Sequence, residues 1–197
     1  MKESNAKPGQ WVALPGAGGG LGHLAVQYAS AMGLRVVGID TGKEKEHLVK
    51  SLGAEAFIDF ETCSDVIAEV KRLTNGGPHA VIVIAASAKP YEDALKMCRT
   101  KGTVVAVGLP SNTVIGANVF DTVVRNLTVK GSYVYICFSG FINCRGNRAD
   151  TVEAIDFLTR GKVKVIYQLR GLSELSDVYR EMEEGKITGR IVLDISK

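Results

Sequence analysis

The densest chemical signal in the chain is a run of glycines, Gly16-Ala17-Gly18-Gly19-Gly20-Leu21-Gly22, set between a short apolar stretch and a helical one. A diphosphate needs backbone N–H groups gathered at one point with no side chains in the way. Glycine provides that close approach and access to positive φ. A helix that follows adds the partial positive charge of its N-terminus, ~0.3–1 kcal/mol per exposed anionic contact. Counted back from Gly22, the strict spacing G-x-G-x-x-G puts Gly19 second but Ala17 where the first glycine belongs. Gly16 stands one residue earlier, so the turn is one residue longer than the simplest form. The plain alternative is a structural turn that binds nothing.

Asp40 closes the next apolar stretch, Arg35-Val-Val-Gly-Ile39, and follows Gly22 by 18 residues. A carboxylate there accepts hydrogen bonds from the adenosine ribose hydroxyls and repels a 2′-phosphate, which selects NAD over NADP. Its alternative role is to cap a helix that begins at Lys43. Lys43 itself reads either as a contact at the ribose edge or as a solvated helix lysine. No metal site is expected. Cys63, Cys98, Cys137 and Cys144 form no C-x₂₋₄-C pair, and His23, His47 and His79 are scattered over a helix face, a helix and a turn. No catalytic residue is assigned.

The elements that must position these groups alternate. Apolar stretches at 11–14, 35–39, 56–59, 80–84, 102–107 and 127–131 read as strands. Helical spacing covers 21–32, 43–52, 65–74 and 90–97. Near-continuous apolar strands with short Gly-rich links predict a doubly wound α/β parallel sheet, a Rossmann-type domain, because such strands are covered on both faces and their crossovers are right-handed. We expect a lead-in over 1–10, the dinucleotide-binding domain over 11–162 and a C-terminal segment over 163–197. A helix over 151–160 precedes that last segment, which reads as a strand near 164–168, a helix over 173–184 capped by Ser173, and a strand over 190–195. The segment is too short to own a core and must pack on the main domain or on something outside this chain.

Composition fits this reading. The chain has 197 residues, 46% hydrophobic and 23% charged, which excludes disordered and collagen-like classes. A net charge of +3 is too small and too scattered for a nucleic-acid or polybasic membrane surface. No apolar run reaches the ~18 residues of a membrane span, and the polar start, Met1 to Lys7, has no signal-peptide core. Four unpaired cysteines suit a reducing, cytoplasmic location.

Taken together, the residues resemble a known family. Gln10 through Ala29, Ala31-Met-Gly33, Val37-Gly-Ile-Asp40, Phe57-Ile-Asp-Phe60, Val107-Gly-Leu-Pro110, Lys130-Gly-Ser-Tyr-Val134, Gly146-Asn-Arg-Ala-Asp150 and Gly189-Arg-Ile-Val-Leu-Asp194 are similar to the coenzyme domain of zinc-dependent, medium-chain alcohol dehydrogenases of the fungal, yeast type. The resemblance implies NAD as cofactor and hydride transfer between a primary alcohol or aldehyde and NAD. It implies that Gly18, Gly19, Gly20 and Leu21 cradle the pyrophosphate. Asp40 and Lys43 would hold the adenosine ribose, and Val107, Ser132 and Val134 would face the nicotinamide carboxamide. Arg190, on the residues alone an exposed arginine at a strand start, would reach back to the pyrophosphate. Homo-oligomers through this domain are implied as well.

The chain departs from that pattern twice. The family's additional domain, which carries the catalytic and structural zinc, is not in this chain, so zinc is expected for the family while its ligands are absent here. By this reading the chain alone is inactive and contributes the coenzyme-binding half. The family pattern also runs from Gly-Ser-Tyr-Val directly into Gly-Asn-Arg, whereas residues 135–145 intervene here. Those residues, rich in Phe, Ile and Tyr, read as a translated intron or as a natural loop. Competing readings are an inactive NAD(H)-binding module or dead heteromer partner, a methyltransferase using S-adenosylmethionine, and a zinc-free quinone reductase, which Asp40 opposes.

Overall fold

The computed structural model describes residues 1–133 and 148–196. Val134 and the intervening segment 135–145 lie outside the described residues. Six parallel strands, β1 (Trp11–Pro15), β2 (Arg35–Asp40), β3 (Ala56–Asp59), β4 (Ala80–Val83), β5 (Thr103–Ala106) and β6 (Thr128–Gly131), form one sheet in the order β3-β2-β1-β4-β5-β6. This is the doubly wound Rossmann architecture that the alternation predicts, and its order reverses between β1 and β4.

Why both faces are covered is visible within single strands. Val12 and Leu14 of β1, Val36 of β2 and Ile82 of β4 pack into one core with Val26 and Ala29 of α1 (Gly22–Ala31) and Val49 of α2 (Lys43–Ser51). Their sequence neighbours Ala13, Val37, Val81 and Val83 enter the opposite core. There they meet Val70 of α3 (Val66–Leu73) and Ala94, Leu95 and Met97 of α4 (Lys89–Met97). Side chains alternate across a strand, so a strand apolar at every position requires helices on both sides. Each valine so buried contributes ~1.5–3 kcal/mol relative to an exposed one. Asp65 caps α3 by accepting the Ala68 N–H at 2.9 Å.

The second half holds three corrections. A short helix α5 (Val119–Val124), capped by Asn118 accepting the Asp121 N–H, lies where no element was read. It is six residues long and rich in valine, so it carries no clear helical period. The helix α6 (Arg148–Thr159) follows the undescribed stretch, and β7 (Tyr167–Gly171) begins later than expected. Residues 164–166 are held by α1 instead. The Gln27 amide accepts from Lys164 N–H and donates to Lys164 O, both at 2.8 Å, and Ile166 N–H donates to His23 at 3.1 Å. Ser173 is not the cap of the last helix. It sits in a 3-10 turn, Leu172–Glu174, whose Glu174 carboxylate accepts the Gly171 N–H at 2.8 Å, and α7 runs Leu175–Glu183.

The strand β8 (Arg190–Asp194) pairs in parallel with β7 as a separate two-stranded sheet. The C-terminal segment thus packs on the main domain through polar contacts to α1 and the glycine turn, while Tyr167, Leu169, Tyr179 and Met182 stay exposed. Among the described residues no helix is long and apolar enough to cross a membrane.

Candidate functional site

The reversal of strand order between β1 and β4 opens a crevice at the carboxyl ends of the strands, the usual place for a ligand in such sheets. The glycine turn occupies it. Gly16 leaves β1 with φ +88°, and a Cβ there would stand 2.7 Å from the Ala85 backbone nitrogen. Gly16 therefore does the work of the motif's first glycine, one residue early. Gly22 opens α1 so close to the start of the turn that a Cβ would overlap the Gly16 carbonyl oxygen.

The glycines sort into two kinds. The fold itself needs Gly16 and Gly22. Gly18 is needed too, because the aliphatic stem of Lys45 lies 2.7–2.8 Å from where its Cβ would be. Gly19 is different: the nearest atom to its Cβ position is the Gly16 oxygen at 3.8 Å, an ordinary contact. Nothing among the described residues demands glycine there.

The backbone donors divide the same way. Gly18 N–H donates to Asp40 at 2.8 Å, and Gly18 O accepts the Gly189 N–H at 2.9 Å. Gly19, Gly20 and Leu21 N–H meet no acceptor among the described residues, and α1 has no side-chain cap. Three unanswered amides at a helix N-terminus attract an anion. The Arg190 guanidinium lies 3.1 Å from the Cβ position of Gly20, exposed at the start of β8. Its exposed position and its place beside the turn are both realised.

Asp40 ends β2 and is 6% exposed. Its carboxylate accepts from Gly18 N–H, from Thr41 N–H at 2.9 Å and from Lys45 Nζ at 3.0 Å. It does not cap α2, which has no side-chain cap; Gly42 holds that position. Lys43 is exposed on the first turn of α2. The lysine brought to Asp40 is Lys45, which the reading of the sequence passed over. Its signal was present: Lys45 precedes the fully buried Val49 by one helical turn and so shares the inward face, while Lys43 does not.

A carboxylate offers about four lone-pair sites and an ammonium three N–H donors. Asp40 uses three sites. Lys45 uses two donors, to Asp40 and to Gly185 O at 2.7 Å. One acceptor and one donor remain, the complement of a hydroxyl group.

Cavities lined by described residues flank the turn. One of about 610 Å³ is lined by Gly16, Gly19, Gly20, Asp40, Lys45 and Phe60, among others. Another, of about 590 Å³, includes Leu21, Val107, Ser132 and Phe157. The residues 16–22, Asp40 and Arg190 therefore meet at the turn, and Val107 and Ser132 lie together beyond it; Val134 is outside the described residues.

His23, fully buried in the first turn of α1, ties the site to the C-terminal segment. Nδ1 lies 3.0 Å from Gly19 O, and Nε2 faces the Ile166 N–H. A neutral ring with its proton on Nδ1 satisfies both partners. Burial lowers its pKa, Arg190 adds to that, and the Gly19 carbonyl opposes it. With the folded value below the ordinary 6.5, the unfolded chain takes up the proton first, so this contribution is present above pH 6.5 and is lost as pH falls below it. His79, also lowered by burial first and then Arg99, acts with the same sign. The expected result is a fall in the urea midpoint between about pH 7 and 5.5 that is shallower in His23→Gln.

The family model described as zinc-binding dehydrogenase matches residues 20–160. An alcohol dehydrogenase 1 of Neurospora crassa is 51% identical over all of this chain and 53% of its own length. An alcohol dehydrogenase of Schizosaccharomyces pombe is 50% identical, again over all of this chain and 53% of its own. The crystal structure of an alcohol dehydrogenase from the archaeon Aeropyrum pernix superposes with a TM-score of 0.82 at 26% identity, covering 98% of this chain and 52% of that one. The chain spans about half the length of the curated relatives it matches.

Proposed function

Because this chain belongs to the zinc-binding dehydrogenase family, we propose that it is the coenzyme-binding portion of an NAD-dependent alcohol dehydrogenase, acting in the cytoplasm on a small primary alcohol or aldehyde. The observation that carries the proposal is the set of unanswered amides at Gly19, Gly20 and Leu21 beside a glycine that the fold does not need.

In this reading those amides and Arg190 hold the diphosphate. Asp40 and Lys45 take a ribose hydroxyl between their remaining acceptor and donor, and the buried carboxylate rejects a 2′-phosphate. The cavity on the Asp40 side holds the adenosine half. The cavity lined by Leu21, Val107 and Ser132 holds the nicotinamide half. Bound there, NAD supplies the acceptor for a hydride from the alcohol carbon; these residues fix its position and exclude water from its ring.

The described residues do not fit a zinc ion. They contain no group of three or more His, Cys, Asp or Glu able to hold a metal. Cys98 is buried against the Pro78 and Thr103 carbonyls, its thiol pushed up to about 11 by burial, and both ring nitrogens of His23 are engaged. Cys137 and Cys144 lie outside the described residues. The proposed share of this chain in the reaction is to bind and orient the coenzyme. The exposed apolar side chains of α5, Val119, Phe120 and Val123, support self-association.

Gly19→Ala separates binding from folding. Its Cβ meets nothing closer than 3.8 Å among the described residues but in this reading stands where the diphosphate approaches. NADH fluorescence titration is expected to show a loss of more than about tenfold, with the free energy of urea unfolding unchanged within ~0.5 kcal/mol. Undiminished NADH binding by Gly19→Ala would place the coenzyme elsewhere.

A further inference from the structure

The ammonium of Lys45 is buried, and its geometry is set from two sides. Its stem crosses Gly18, its head meets the Asp40 carboxylate at 3.0 Å, and on the other side it donates to the main-chain oxygen of Gly185 at 2.7 Å. Gly185 follows Glu184, the residue that closes the C-terminal end of α7. It has φ +67°, its N–H returns to Met182 O at 3.1 Å, and a Cβ there would touch nothing within 4 Å. Its glycine is thus required by conformation, not by crowding. The positive φ turns the chain at the negative end of the α7 dipole and presents a carbonyl to a cation.

Four residues on, Gly189 N–H binds Gly18 O, so residues 185–190 span from Lys45 to the glycine turn. We propose that the Gly185 carbonyl is a positioning group for the coenzyme: it fixes the Lys45 ammonium so that its remaining N–H is held for the ribose. Without that acceptor the lysine has one anchor, Asp40, and keeps its rotamer freedom at a point where a single hydrogen-bond direction decides binding. The proposal rests on the coenzyme reading above and extends it to a residue of the C-terminal segment that acts through another side chain.

The test is a double-mutant cycle read by NADH fluorescence titration on the 197-residue chain, with unliganded urea unfolding measured alongside. Gly185→Val and Gly185→Pro disfavour positive φ and displace the carbonyl; either is expected to weaken NADH about tenfold, the loss of one hydrogen bond to a charged group. Gly185→Asn tolerates φ +67° and is expected to restore affinity to within about twofold. In a Lys45→Gln background the Gly185 substitutions are expected to change NADH affinity by less than about twofold. Equal losses in both backgrounds, or no rescue by asparagine, would overturn the positioning role and leave Gly185 a helix stop alone. Failure of the unsubstituted chain to bind NADH would overturn the coenzyme reading itself, a result distinct from additive losses.

Discussion

Gly22→Ala is expected to unfold this domain, not merely to weaken its ligand. A Cβ at Gly22 overlaps the carbonyl oxygen of Gly16 and stands 2.6 Å from the carbonyl carbon and oxygen of Ala17. All of these are backbone atoms, so no side-chain rotation relieves the clash. Moving Gly16 away would break its N–H bond to Ile39 O at 2.9 Å, which stitches the turn to β2. Moving α1 away would pull Val26 and Ala29 out of the core. The cost is expected to exceed about 4 kcal/mol, a large share of the ~5–15 kcal/mol by which domains are stable. Urea unfolding followed by far-UV circular dichroism reads it directly. A folded Gly22→Ala chain within about 1 kcal/mol of the original would show that the turn is looser than these contacts require.

The contrast between Gly22 and Gly19 shows what the sequence could and could not convey. Both are glycines in one motif, and their letters are the same. One is required by packing of helix on strand, the other only by a ligand. The strands and four helices of the first half were legible because strands apolar at every position and helices with a 3.6-residue stripe each have a single way to bury their apolar atoms. The carboxylate at the end of β2 was legible for the same reason: strand length fixes where the sheet's edge lies.

Lys45 was missed because Lys43 is nearer in sequence, whereas the inward face of α2 is decided by Val49. Residues 164–166 looked like a strand because Val165 and Ile166 are apolar and β-branched and Tyr167 follows them. The Lys164 N–H and C=O and the Ile166 N–H are instead claimed by Gln27 and His23, side chains more than a hundred positions earlier. Local pattern cannot register a competitor so distant in the chain. α5 escaped because a six-residue helix rich in valine offers less than two turns of period.

Asp40→Ala carries the other large effect, and here stability and binding come apart in a second way. Removing the carboxylate leaves the Gly18 and Thr41 N–H groups without their acceptor and the buried Lys45 ammonium with only the Gly185 carbonyl. An uncompensated buried charge costs ~3–5 kcal/mol, so Asp40→Ala is expected to lower the urea midpoint severely and to abolish NADH binding. Adding Lys45→Met to Asp40→Ala removes the stranded charge and keeps the stem over Gly18. Buried pairs replaced by apolar groups are often neutral, so the double variant is expected to regain ~1–3 kcal/mol. It is not expected to regain NADH, because neither the ribose acceptor nor its donor returns. A double variant less stable than Asp40→Ala would mean that the ammonium is solvated without its partner. One that binds NADH as the original chain does would remove the ribose from this corner of the crevice. The two measurements thus test the same pair of side chains as a structural strut and as a recognition site, and the apolar replacement tells the roles apart because it restores only the first.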